Sequence, residues 1–165
     1  MQPKENIIVK RFFSMFAAIV FAGFFAVNFN AQASRASVPA SEVNGTFRSY
    51  FKGKFKGSYN EIRILALGGG KLKIALDLTY PYKTGIGQLS ANLGELTGTA
   101  NISGDIAVYS SEEFGNCTIT LKFVKPGTIK VNQDGGSGCG FGNNVTADGM
   151  YTRFNKSKPK FELPE

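Results

Sequence analysis

Lysines occupy alternate positions in the stretch YFKGKFKGSY, at Lys52, Lys54 and Lys56, with Phe51, Gly53 and Phe55 between them. In an extended chain the three ammonium groups share one face and the two rings share the other. That spacing suits two kinds of work. One is a cationic ridge for a phosphate or sulfate polymer, each lysine acting as a point charge. The other is the solvated face of a half-buried strand whose lysines guard an edge. The pattern predicts the strand first, with a weak anion-binding site carried on it.

Catalytic chemistry has little to work with. The chain contains no histidine, which removes the commonest general base, the commonest metal ligand and every Ser-His or Cys-His pair. Two cysteines, Cys117 and Cys139, are too few for a structural zinc site. Gly70-Lys71 resembles the end of a phosphate loop, but Leu65 and Leu72 stand where Gly and Ser or Thr are needed. Gly135 to Cys139 lacks the closing glycine of a nucleophile elbow. Asp77, Glu95, Asp105 and Asp148 lie on or near expected strands. Two of them converging would make a glycosidase-type pair, although carboxylates at strand ends are usually solvated. The expectation is a protein that is not an enzyme and needs no cofactor or metal.

The elements that would carry these residues begin after a leader. Lys4, Lys10 and Arg11 precede an apolar run from Phe12 to Val27, and Ala31-Gln32-Ala33 follows. This is the pattern of a cleaved secretory signal helix over residues 1–33, with the cut between Ala33 and Ser34. The run of 16 residues is short of the roughly 20 that span a bilayer. Membrane contact is therefore expected only through an uncleaved signal. The mature chain would carry 16 basic and 11 acidic side chains, a formal charge of +5. That balance favours anionic envelope polymers or lipid headgroups. The basic residues are scattered, so no nucleic acid partner is expected. Export to a secreted or periplasmic location makes a Cys117–Cys139 disulfide the default.

After the leader the period is two. Leu72, Ile74, Leu76, Leu78 and Tyr80 alternate with polar or small neighbours, as do Cys117, Ile119, Leu121 and Phe123. Asn60–Leu67 reads as apolar on both faces towards its end. Gly68-Gly69-Gly70 and Lys125-Pro126-Gly127 supply hairpin turns. The fold class predicted is all-β: a small antiparallel barrel or sandwich of eight to nine short strands, with no helix after residue 33. Residues 34–43 read as a linker, 44–154 as the β domain and 155–165 as a flexible tail.

The segments NEIRILALGGG (60–70), ANLGELTG (91–98) and CGFGNNVTADGMYTRF (139–154), with KPKF (158–161) after them, together resemble a family of small exported bacterial β proteins. That resemblance implies an exported, disulfide-containing β domain and no particular activity. The size, β character and disulfide are also similar, more loosely, to periplasmic lysozyme-inhibitor barrels. That family's Ser-Gly-x-x-Tyr signature is not reproduced: Asp148-Gly149-Met150-Tyr151 has a different first residue and one fewer spacer.

These readings converge on an exported binding module of the cell envelope, for an anionic surface or a protein partner. A secreted inhibitor of a hydrolase ranks second and a carboxylate-based hydrolase third. Protein recovered from the producing cell's envelope should begin at Ser34 by intact mass. Retention of Met1 would make the apolar run an anchor.

Overall fold

The computed structural model describes residues 38–161. The signal helix and the Ala33–Ser34 cleavage site lie outside the described residues. Eight strands run antiparallel in chain order: β1 (Gly45–Tyr50), β2 (Tyr59–Gly68), β3 (Lys71–Lys83), β4 (Leu89–Ser103), β5 (Ile106–Ser111), β6 (Cys117–Lys125), β7 (Thr128–Asp134) and β8 (Gly149–Asn155). Each pairs with the next, and β8 returns to β1, so the sheet closes as an up-and-down barrel. Of the two predicted architectures, the barrel is the one formed.

The alternation that predicted the strands also sorts their faces. Ile62 and Ile64 from β2, Ile74 and Leu76 from β3, Ile119 and Leu121 from β6 are fully buried inside. Phe47 and Tyr151, on the strands that close the barrel, are buried as completely. Eight strands enclose an interior just wide enough for side chains to fill. β2 departs from expectation, because Leu65 is half-buried and Leu67 exposed. It follows the same inward–outward alternation as its neighbours rather than being buried on both faces.

Both ends are stoppered. At the short-turn end, residues 38–43 were expected to be a linker. Instead Val38 packs on the core, Ala40–Val43 form one helical turn, and Val43 is buried. The polar sequence hides this because only the two valines face inward. Arg153 on β8 pins the turn, with its guanidinium 3.3 Å from the Glu42 carboxylate and bonded to the Glu42 carbonyl. At the other end, the connection from β7 to β8 folds inward, carrying Val145 and Ala147 into the core. Cys139, in a short 3-10 turn of that connection, is bonded to Cys117 at the start of β6, with Cα atoms 4.7 Å apart. The expected disulfide is present. The tail is also partly packed: Asn155 belongs to β8, and Phe161 lies under Lys73, whose ammonium is 4.8 Å from the ring centre. Among the described residues, no helix is long and apolar enough to cross a membrane.

The disulfide closes a loop of 22 residues and should contribute about 3 kcal/mol by restricting the unfolded chain. Urea unfolding with and without reductant, and of Cys117→Ser, should show a loss of that order. Equal midpoints would mean that the β7–β8 stopper holds without its tether.

Candidate functional site

Because the strands alternate in direction, the connections β1–β2, β3–β4, β5–β6 and β7–β8 gather at one end. The lysine stretch is the first of these. It is not a strand, which corrects the expectation. β1 stops at Tyr50, which pairs with Tyr59, and residues 51–58 form a loop closed by the Phe51 N–H donating to the Ser58 carbonyl at 3.0 Å. Gly53 and Gly57 take positive φ, +63° and +106°, and Gly53–Phe55 form a single 3-10 turn. Those two glycines were the available signal: at these angles the chain reverses, and period two cannot continue. Lys52, Lys54 and Lys56 are all exposed, while Phe51 and Phe55 are only half-buried. Lys54 leans on the Phe55 ring at 5.0 Å. Among the described residues, none of the three lysines has an acidic partner within salt-bridge distance.

Beside this loop lies a polar groove made of two recesses that share Asn144, Thr146 and Asp148 in their walls. The larger, about 370 Å3, is lined by Gln133, Phe141, Asn143, Asn144, Thr146 and Asp148. The smaller, about 160 Å3, runs between Tyr50, Phe51, Asn60, Tyr80 and the same Asn144, Thr146 and Asp148. Its scaffold is a network that ties the β7–β8 connection to β7 and β4. Asp148 accepts the Gln133 backbone N–H at 2.7 Å and the Thr146 hydroxyl at 2.8 Å. The Gln133 side-chain oxygen accepts the Ala147 N–H at 2.8 Å. The Asn92 amide reaches across from β4 to the Asn143 carbonyl at 2.7 Å. Asn144 has φ +62°, a left-handed position that asparagine tolerates better than most residues. Beneath the groove, the buried Tyr151 hydroxyl donates to the Ala147 carbonyl at 3.0 Å.

This groove was not found from the sequence. Asn143, Asn144 and Thr146 read only as part of a glycine-rich connection. The available signal was length: 14 residues separate β7 from β8, well beyond an ordinary hairpin loop. Of the four carboxylates, only Asp148 lies here. Asp105 is in the β4–β5 turn at the opposite end. Asp77 and Glu95 are brought together as direct cross-strand partners on the outer wall, and Glu61 is paired with Asp77 on its other side. Asp77 is held by Arg63 at 2.8 Å and Glu61 by Arg48 at 2.7 Å. Two of the three carboxylates are thus committed to cations of the wall. Among the described residues, no group of three or more metal-ligating side chains is assembled.

Chemically, the groove offers amides, hydroxyls and a carboxylate between the aromatic faces of Phe51, Tyr80 and Phe141. Such groups are able to hydrogen-bond the hydroxyls of a ligand. Comparison with family models, curated proteins and solved structures returns no match.

Burial pushes the Tyr151 phenol above its ordinary value of 10.0. The folded state therefore keeps this proton where the unfolded state gives it up, and its stabilising effect is lost as pH rises above 10. Urea unfolding should show wild-type stability falling more steeply above that pH than Tyr151→Phe. At neutral pH the variant should lose about 1 kcal/mol with the hydrogen bond. Parallel curves would show that Tyr151 does not carry the alkaline dependence.

Proposed function

We propose that the protein is an exported, non-enzymatic binding module of the cell envelope, and that its loop end takes an anionic saccharide polymer. The observation that carries this reading is the exposed trio Lys52, Lys54 and Lys56, without an acidic partner among the described residues, beside a groove of hydrogen-bonding side chains. Unpaired ammonium groups attract phosphate, sulfate or carboxylate substituents. The neighbouring amides and aromatic faces suit the hydroxyls and C–H faces of sugar rings. The loop corrects the shape of the site and not its charge: a tight turn holds the three lysines on one exposed loop, as an extended face would have done.

The location follows the same reasoning. A disulfide is consistent with an oxidising compartment, and the leader at the N-terminus supplies the route. The filled interior supports binding at the loop end over a carrier that encloses its ligand.

Heparin serves as the probe in calorimetry at low salt. Binding should be weak and should fall steeply with added salt, because exposed charges are screened within about 8 Å at physiological ionic strength. The Lys52→Ser/Lys54→Ser/Lys56→Ser variant should lose most of it with unchanged unfolding, since such surface changes usually stay within about 0.5 kcal/mol. Asn144→Ala should weaken heparin more than it weakens binding to anionic vesicles. Unchanged heparin binding in the triple variant overturns the reading. Equal loss for heparin and vesicles on Asn144→Ala overturns the saccharide assignment.

A further inference from the structure

The barrel wall carries a seam between β4 and β5. β4 pairs with β3 over its whole length, Leu89 to Ser103 against Lys83 to Lys71. With β5 it pairs only through Asn101, Ile102 and Ser103. Beyond that point β5 follows β6, with Ser110 opposite Thr118 and Ser111 opposite Cys117. Backbone groups on a strand alternate in direction with period two. The Leu93 carbonyl turns away from β3 to accept the Gly142 N–H at 2.9 Å, and Asn101 turns the same way towards Val108. Glu95, Thr97 and Thr99 share that parity, so their N–H and C=O groups point into the seam. Among the described residues, none of the three has a ladder partner on β5, and no turn or loop hydrogen bond reaches them.

The core stays sealed behind this edge. The Tyr109 ring crosses from β5 onto Gly98, where any Cβ would overlap it. The glycine thus lets one aromatic ring plug the wall from inside while the backbone outside remains free. The outward side chains are Glu95, Thr97 and Thr99, all exposed. Neither lysine nor proline, the usual guards of an edge, is among them. A recess of about 130 Å3 lies over the upper seam, lined by Glu95, Thr97, Tyr109, Glu113, Phe114 and the disulfide. Glu95 and Glu113 are exposed there, and among the described residues neither is in an ion pair. Phe114 is 68% exposed. An acidic, aromatic recess stands out on a chain of net charge +7.

We infer that the seam binds an extended segment of a partner protein as an added strand on β4, with a lysine or arginine of that segment in the recess. Main-chain hydrogen bonds to Glu95, Thr97 and Thr99 supply affinity, and the alternate side chains supply selectivity. The two carboxylates and the Phe114 and Tyr109 faces match a cation. This site lies on the wall, apart from the lysine loop, and does not depend on the saccharide reading.

The test uses amide hydrogen exchange of the full chain with three synthetic peptides. One is an acetylated, amidated Thr-Val-Thr-Lys-Thr-Val-Thr. The second carries Glu for the Lys, and the third is N-methylated at every residue. In the free protein the amides of Glu95, Thr97 and Thr99 should exchange as fast as those of loops. The lysine peptide should slow them several-fold. The glutamate peptide should do so much less, and the methylated peptide not at all. Glu95→Gln/Glu113→Gln should weaken the lysine peptide several-fold and leave unfolding unchanged. Thr97→Pro removes a donor that β3 does not use, and should abolish the effect. If that variant does not fold, the double glutamine variant decides alone. Protection in the free monomer overturns the inference. Equal effects of all three peptides also overturn it, as does protection that appears only as protein concentration rises, which would mean a second copy pairs there.

Discussion

The ladder between β1 and β8 sets the terms for the whole molecule. An open eight-stranded sheet would leave two edges and a bare apolar face. Pairing Thr46 with Asn155, Phe47 with Arg153 and Arg48 with Thr152 removes both edges and wraps that face inside. Closure is tight enough to specify a residue: at Gly45, with φ +143°, the Asn155 carbonyl occupies the place of a Cβ. Once closed, the barrel is open to loss of core contacts at its ends and at the β4–β5 seam. The Ala40–Val43 turn stoppers one end and the disulfide-tethered β7–β8 connection the other. The interior holds the core side chains, so the rim and the outer wall are the surfaces that face solvent.

The outer wall is organised by charge. Arg48, Glu61, Asp77 and Glu95 lie in one register row across β1 to β4. Arg48 is stacked between the Tyr59 and Phe154 rings, 4.0 and 3.6 Å from their centres, and also bonds Glu61. Exposed ion pairs contribute little by themselves, at most about 1 kcal/mol. A guanidinium held between two rings has lost less freedom by pairing, so this row fixes strand register more than it adds stability. Arg63 extends the arrangement to the tail, bonding Asp77 and donating to the Lys160 carbonyl at 3.3 Å. The two recognition features proposed for this chain lie where that network ends: the lysine loop beyond Tyr59 and the seam beyond Glu95.

How far the sequence could be read differs by element. The strands β3 and β6 were legible because period two is a local property: each residue's face follows from its neighbours. The disulfide was legible because two cysteines admit one pairing. The lysine stretch misled because its side chains alternate while its backbone does not; Gly53 and Gly57 were visible, but which of two local tendencies wins depends on whether Tyr50 and Tyr59 meet. The packed Val38–Val43 segment was invisible because two valines among polar residues acquire an inside only when a barrel end lies against them.

The sequence by itself determined the β character of the described residues, the turns at Gly68–Gly70 and Lys125–Gly127, the lack of histidine chemistry and the cysteine pair. These are properties of residue type and near-neighbour spacing. Only the tertiary structure decided that β8 closes on β1, that Asp77 and Glu95 meet while Asp105 and Asp148 stay apart, and that the β7–β8 connection builds a groove with Asn60 and Tyr80. Only it decided that β4 parts from β5 after three pairs. Each of these sets one segment against another distant in the chain. Such contacts are fixed by closure and by the filling of a shared core, which no local pattern encodes.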